Sequence, residues 1–149
     1  MLKIGHRGAK GYVAENTLAS FQKALELHVD GVELDVHLSL DGQIMVIHDE
    51  TIDSTTSGTG FVKDFTASQL KEYGIPTLEE VIDLIDKKCF VNIEIKDSNA
   101  TKYVLELLQN YIVEKHWNPH LFQISSFDWN VLQLCHSEER RISLGVLTE

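Results

Sequence analysis

The sequence predicts an α/β fold with a largely parallel β-sheet. Short apolar runs alternate with segments of helical periodicity, an alternation that is typical of βαβ units. The length of 149 residues suits one domain, and 43% hydrophobic with 24% charged residues is ordinary for a globular chain. No apolar run reaches the roughly 18 residues of a transmembrane helix, and we expect no signal peptide at the N-terminus.

The first third of the chain contains three predicted strands and one predicted helix. The helix is expected over residues 18–27, because its apolar residues recur on one stripe and Asn16 or Thr17 precedes it as a cap. The connection between the second and third strands is too short for a crossover helix, so this pair departs from the βαβ pattern. The strands are the β-branched or aliphatic runs at residues 2–4, 31–36 and 44–47.

Residues 50–75 are predicted to be a loop. The centre of this loop, residues 55–60, is rich in Thr, Ser and Gly. A phosphate-binding loop is one interpretation of this composition, and a plain flexible turn is the favoured one. Beyond the loop, Thr77 and Glu80 match a capping box, in which each side chain bonds the backbone N–H of the other residue. This pair predicts the start of a helix.

The rest of the chain predicts three more strands and two more helices. One helix is indicated by an apolar stripe over residues 103–112, on which we expect Tyr103 and Tyr111 to be core residues. The other helix lies near residues 129–135. The strands are predicted at residues 90–96, 121–126 and 142–147.

Polar side chains follow the predicted strands at their carboxyl ends, which meet on one face of an α/β barrel. Since side chains alternate along a strand, Glu33 and Asp35 point to one side, and Glu94 points to the polar side of its own strand. Three carboxylates this close would repel one another, and a hard divalent cation would remove the repulsion. The alternative is that Glu33 and Asp35 lie on a solvated strand face and bind nothing.

His6, Arg7 and His48 stand at the ends of two further strands. Histidine can exchange protons near neutral pH, and arginine can hold two phosphate oxygens at once. Taken singly, each histidine is also compatible with a strand-end residue that has no catalytic role. The remaining five histidines lack comparable neighbours and are interpreted as surface or packing residues.

The chain has 23 acidic and 13 basic residues and a formal net charge of −10. Nucleic acids bind to basic patches, so no nucleic-acid partner is expected. An anionic substrate beside these carboxylates would need a bound cation. Cys89 and Cys135 show neither metal-ligand spacing nor a disulfide framework, which favours a reducing cytoplasm.

In several stretches that contain the strand-end residues, the sequence resembles the glycerophosphodiester phosphodiesterase family. This family is part of the wider group of barrels like phosphoinositide-specific phospholipase C. The matching stretches come in the order of the family and cover nearly the whole chain. They are Gly5-His6-Arg7-Gly8, Glu15-Asn16-Thr17, Val32-Glu33-Leu34-Asp35-Val36, Asp41-Gly42, His48-Asp49, Ile75-Pro76-Thr77-Leu78-Glu79-Glu80, Ile93-Glu94-Ile95-Lys96 and Ser125-Ser126-Phe127-Asp128.

The resemblance implies a (β/α) barrel of the TIM type that hydrolyses glycerophosphodiesters to glycerol 3-phosphate and an alcohol. In the family, a glycerol hydroxyl is thought to attack the phosphate and give a cyclic phosphate that water then opens. The implied roles are acid–base catalysis by His6 and His48, phosphate binding by Arg7 and Lys96, and ligation of Mg²⁺ or Ca²⁺ by Glu33, Asp35 and Glu94.

Two features depart from the family. Ser54 stands where the family usually has arginine, so phosphate affinity is lower unless Lys63 takes that role. A barrel of this type needs roughly 200–250 residues, and residues 1–149 are expected to form a single domain that lacks the last strands after about six. Three interpretations stay open: a fragment of a longer product, a homo-oligomer that closes the open barrel, or a reduced relative without activity.

Three functions are therefore compared. The first is metal-dependent hydrolysis of glycerophosphodiesters, and the second is a non-catalytic module that binds metal or phosphate. The third is a related lipid phosphodiesterase, although no amphipathic basic helix for a membrane surface is evident.

Overall fold

Six β-strands form one sheet in the computed structural model, which describes residues 1–148. The third strand pairs antiparallel with the second, and all other pairings are parallel. The predicted α/β class and the predicted departure at the third strand are both confirmed. The strands are β1 Ile4–His6, β2 Gly31–Leu38, β3 Ile44–Val46, β4 Phe90–Ile95, β5 Phe122–Ser126 and β6 Ser143–Val146, and the parallel order is β1-β2-β4-β5-β6.

Five α-helices accompany the sheet in the described residues, with short 3₁₀ turns between some elements. None of the helices in residues 1–148 combines the length and the apolar character of a membrane span. The helices are α1 Leu18–Glu26, α2 Ala67–Glu72, α3 Leu78–Ile85, α4 Thr101–Val113 and α5 Trp129–Glu138, and the 3₁₀ turns are Val62–Asp64, Ser98–Ala100 and Pro119–Leu121.

The main hydrophobic core lies between one face of the sheet and the helices α1, α3, α4 and α5. On β2 the aliphatic side chains alternate with acidic ones, so one face of the strand is apolar and the other is polar. The apolar face is fully buried: Val32, Leu34 and Val36 are 0% exposed. The neighbouring strand β4 repeats the pattern with Val91, Ile93 and Ile95.

A second, smaller core lies under the segment between β3 and α3. Ile52, Val62 and Leu70 from this segment pack with Met45 of β3. On β2, His37 is the register partner of Met45, and His37 shares its strand face with Asp35 because the two are two residues apart. The smaller core therefore sits on the side of the sheet to which the acidic residues point, and residues 47–75 form a cap there.

Three predictions about individual elements are wrong. Residues 50–75 are not all loop, because α2 forms there with a capping box between Thr66 and Gln69. β1 begins two residues later than expected and reaches His6, which pairs with Glu33. Tyr103 is 45% exposed, whereas Tyr111 on the same helix is 1% exposed, as predicted for a core residue.

We predict that Thr77→Ala destabilises the protein by about 1 kcal/mol, since the Thr77 hydroxyl accepts from the backbone N–H of Glu80 at the start of α3. The free energy of unfolding is measured with urea. Thr59→Ala, at an exposed residue of the cap, is the matched control and is expected to change it by less than about 0.5 kcal/mol. Equal losses for both variants would contradict the capping role.

Candidate functional site

Glu33, Asp35 and Glu94 form a carboxylate cluster on the neighbouring strands β2 and β4. One carboxylate oxygen of each residue lies within 4.8 Å of the other two. The cluster follows from strand alternation, which puts Glu33 and Asp35 on one face, and from the register that pairs Asp35 with Glu94. Asp35 is 1% and Glu94 9% exposed. The burial of Asp35 contradicts the solvated strand face of the alternative interpretation, and binding of an ion by the cluster stays a prediction.

The cluster concentrates negative charge in a poorly solvated place. Burial, followed by the negative charge of Asp35, raises the pKa of Glu33 to about 7, although a hydrogen bond from the Arg7 backbone N–H opposes the shift. A divalent cation would relieve this repulsion. Three carboxylates supply the hard oxygen ligands that Mg²⁺ and Ca²⁺ prefer, so the residues fit such an ion.

Two cationic side chains adjoin the cluster. Lys96 Nζ lies 2.6 Å from Glu94 Oε1 and 3.7 Å from Asp35 Oδ1. Arg7 donates from Nη1 to Glu15 Oε1 at 2.9 Å, and its Nε lies 3.4 Å from Asp35 Oδ2. That Nε is buried and has no hydrogen-bond partner among the residues described. A buried donor without a hydrogen-bond partner lowers the stability of the folded protein unless a ligand accepts the hydrogen bond.

Arg7 is held in place by the tight turn after β1. Arg7 has φ 52° and Gly8 has φ 83°, and the second value favours glycine. A Cβ on Gly8 would lie 2.5 Å from Ser20 Oγ of α1, while that hydroxyl donates to the Arg7 carbonyl. The turn thus brings the arginine side chain back over the carboxylates.

His6 ends β1 beside the carboxylate cluster. Its Nε2 lies 3.7 Å from Glu33 Oε2, and 58% of its side chain is exposed. Partial burial, followed by the positive charges of Lys10 and Arg7, lowers the pKa of His6. The neutral imidazole is therefore favoured, and a neutral imidazole can accept a proton.

His48 comes from the cap and is oriented by Asp49. His48 Nδ1 lies 2.6 Å from Asp49 Oδ1, and Ser54 donates to Asp49 Oδ2 at 2.6 Å. The hydrogen bond from Ser54, followed by the one from His48, lowers the pKa of Asp49. An ionised Asp49 places the imidazole proton on Nδ1 and leaves Nε2 available as a proton acceptor.

Two cavities border these residues on either side of the cap. The first, of about 190 Å³, is lined by His48 together with Glu15 and Asn16. The second, of about 290 Å³, is lined by Lys96 and by Lys63 of the cap. Residues of the cap line both cavities, and Lys63 and Lys96 both line the second one.

Sequence reasoning missed three residues of the site. Asn16 was a candidate helix cap, but Thr17 caps α1 and the buried Asn16 donates from Nδ2 to Asp35 Oδ2 at 3.0 Å. Glu15 binds Arg7, and Asp49 orients His48. All three lie in matched stretches of the family, which was the available signal.

Comparisons with known proteins agree on one family. The model of the "Glycerophosphoryl diester phosphodiesterase family" matches residues 6–149. A glycerophosphodiester phosphodiesterase of Caldanaerobacter subterraneus subsp. tengcongensis is 44% identical over 98% of this chain and 66% of its own length. The chain therefore spans about two thirds of the length of this relative.

Solved structures have the same fold. The crystal structure of a glycerophosphodiester phosphodiesterase from Thermotoga maritima has a TM-score of 0.85 and 36% identity, covering 100% of this chain and 63% of that one. An Oleispira antarctica phosphodiesterase in complex with the product sn-glycerol-3-phosphate has a TM-score of 0.81 and 30% identity, covering 96% and 64% of the two chains.

We predict that Mg²⁺ or Ca²⁺ raises the melting temperature of the protein on the order of 5–10 °C at about 100 times the dissociation constant. Asp35→Asn is expected to abolish this rise, because it removes the most buried carboxylate of the cluster. Glu72→Gln, an equal charge change at an exposed residue of α2, should keep it. Calorimetric titration of both variants measures the affinity directly, and unchanged affinity in Asp35→Asn would contradict the ligand assignment.

Proposed function

The chain belongs to the glycerophosphoryl diester phosphodiesterase family, and we propose that it hydrolyses glycerophosphodiesters to glycerol 3-phosphate and an alcohol with a divalent cation, Mg²⁺ or Ca²⁺. The observation that carries the proposal is the cluster of three carboxylates within 4.8 Å on the neighbouring strands β2 and β4. Two cationic side chains and a histidine adjoin this cluster, and such groups can bind a phosphate and transfer protons.

Phosphate binding is proposed for Arg7 and Lys96. The unsatisfied Nε of Arg7 supports this role, because a phosphate oxygen would complete its hydrogen bonding. Lys96 adds a point charge 2.6 Å from Glu94 Oε1. Both cations lie beside the carboxylates that would hold a metal ion. A diester bound there would therefore contact the cations and the metal ion together.

Acid–base catalysis is proposed for His6 and His48. One imidazole takes the proton of the attacking glycerol hydroxyl, and the other gives a proton to the oxygen of the departing alcohol. In the second step the roles reverse, and a water molecule opens the cyclic phosphate. A bound Mg²⁺ or Ca²⁺ would supply charge stabilisation for the phosphoryl oxygens. Asp49 supports the scheme, because it fixes the orientation of His48.

Location in the cytoplasm is part of the proposal. It is supported by Cys89 and Cys135, which are free thiols and buried. Free thiols persist in reducing compartments. In both cases burial raises the pKa of the thiol, which disfavours the reactive thiolate form.

A second candidate is a non-catalytic module that binds metal or phosphate. Ser54 favours it, because this residue adds no positive charge to the site and its hydroxyl is used by Asp49. Calorimetry with Ca²⁺ and glycerol 3-phosphate would detect such binding, and turnover would reject the candidate. A related lipid phosphodiesterase is distinguished by phosphorus NMR, since it would release a cyclic phosphate or a ceramide phosphate as its product.

We predict that the protein with Mg²⁺ or Ca²⁺ releases glycerol 3-phosphate from glycerophosphocholine. His6→Ala is expected to lower kcat by about 10²–10⁴, the usual contribution of a general acid or base. His136→Ala, at an exposed histidine of α5, is the control and should retain the rate. Absence of release by the folded wild-type protein, or an unchanged rate in His6→Ala, would overturn the proposed function.

We also predict self-association through the edge strands. Within the described residues β1 and β6 each pair with one strand, and Ile4 and Val146 on these strands are 51% and 48% exposed. Unpaired strand edges are templates for pairing with another chain. Light scattering at micromolar concentration should give a multiple of the 16.9 kDa chain mass. A stable monomer would argue against this part of the proposal.

A further inference from the structure

A polar cavity of about 290 Å³ lies next to the proposed phosphate-binding residue Lys96. One wall is formed by residues at the ends of β2 and β4, including His37 and Asp97, and the other by Glu50 and Lys63 of the cap. The function proposed above uses Lys96 and leaves the rest of this cavity without a role.

The position of the cavity follows from strand alternation. His37 comes two residues after Asp35, and Lys96 comes two residues after Glu94, so these side chains share the faces of the carboxylate cluster. His37 and Lys96 lie two residues further toward the carboxyl ends of β2 and β4 than Asp35 and Glu94 do. The Lys96 ammonium contacts both Glu94 and Asp35, and Lys96 also lines this cavity, so a phosphate held by Lys96 would lie at the border between the carboxylate cluster and the cavity.

The lining is rich in hydrogen-bonding groups and balanced in charge. Lys63 and Lys96 are opposed by Glu50 and Asp97. Asp97 accepts from the backbone and the side-chain amide of Asn99, at 2.9 and 3.0 Å. Neither Glu50 nor Lys63 forms an ion pair within residues 1–148, so both remain available to a ligand. Neighbouring donors and acceptors of this kind match the hydroxyl groups of a polyol.

The same lining is unsuited to a quaternary ammonium group or an acyl chain. A trimethylammonium cation is usually held by several aromatic faces. Here Phe61 is the aromatic residue of the lining, and Lys63 Nζ already lies 5.3 Å from the centroid of its ring. The volume is at the lower end of the roughly 300–1,000 Å³ that ligand clefts occupy, which suits a small headgroup.

We propose that this cavity is the subsite for the departing alcohol and that it selects a neutral polyol, such as glycerol or inositol, over choline. Lys63 and Glu50 act there as specificity-determining residues, donating to and accepting from the hydroxyl groups. The inference rests on the proposed hydrolysis of glycerophosphodiesters and adds the class of leaving group.

The test compares three substrates with the 149-residue chain and Mg²⁺ or Ca²⁺: glycerophosphoglycerol, glycerophosphoinositol and glycerophosphocholine. Release of glycerol 3-phosphate gives kcat/KM for each. We expect kcat/KM for at least one polyol substrate to exceed that for the choline substrate about tenfold, as one additional hydrogen bond to a charged group would provide. Equal values, or a preference for choline, would overturn the subsite and leave the proposed function standing. Release from none of the three would overturn the proposed function and this inference with it.

A pair of lysine variants tests the residue assignment. Lys63→Met keeps the length of the side chain and removes its charge, and it should lower the polyol-to-choline ratio of kcat/KM about tenfold. Lys88→Met makes the same change at an exposed lysine before β4 and should leave the ratio unchanged. Glu50→Gln is a second cavity variant, expected to shift the ratio in the same direction. An unchanged polyol-to-choline ratio of kcat/KM in both cavity variants would show that the cap does not determine specificity for the departing alcohol.

Discussion

The parallel register of β2 and β4 is the constraint on which the site depends. It is set on the apolar side of the sheet, where Val32, Leu34 and Val36 are 0% exposed and Val91 and Ile93 join the same core. Burial of each such side chain contributes about 1.5–3 kcal/mol. A shift of one residue would expose these side chains and turn the carboxylates into the core. Hydrophobic burial therefore fixes where the acidic residues point.

The cap has a core of its own, and this core determines how His48 reaches the site. Met45 and Ile47 lie on either side of the end of β3 and pack with Ile52 and Leu70. The strand is thereby tied to the segment that follows it, and His48 emerges at the junction. Because Asp49 and Ser54 belong to the same segment, the orientation of the imidazole is a local property of the cap.

The sequence predicts much of this arrangement, because its signals are local. Alternation along β2 and β4 and the capping box at Thr77 are visible over a few residues, and the structure has both. The contact between Asn16 and Asp35 joins residues 19 positions apart, which no local pattern specifies. The sequence pattern does not predict α2, because six residues carry little periodicity, although the Thr66–Gln69 pair matches a capping box. The pattern wrongly predicts Tyr103 as a core residue, because helical spacing alone does not identify the buried face.

The charge balance of the site favours the joint binding of a cation and a phosphodiester that we propose. When Glu33 is ionised, the three carboxylates outnumber Arg7 and Lys96 by one, while Glu15 is matched by Lys10 at 4.0 Å. A divalent cation would change this excess from one negative to one positive charge, and a phosphodiester carries one negative charge. A phosphodiester alone would meet a net negative site, and a cation alone would leave a net positive one. Together they leave the buried site neutral, the state with the smallest desolvation cost.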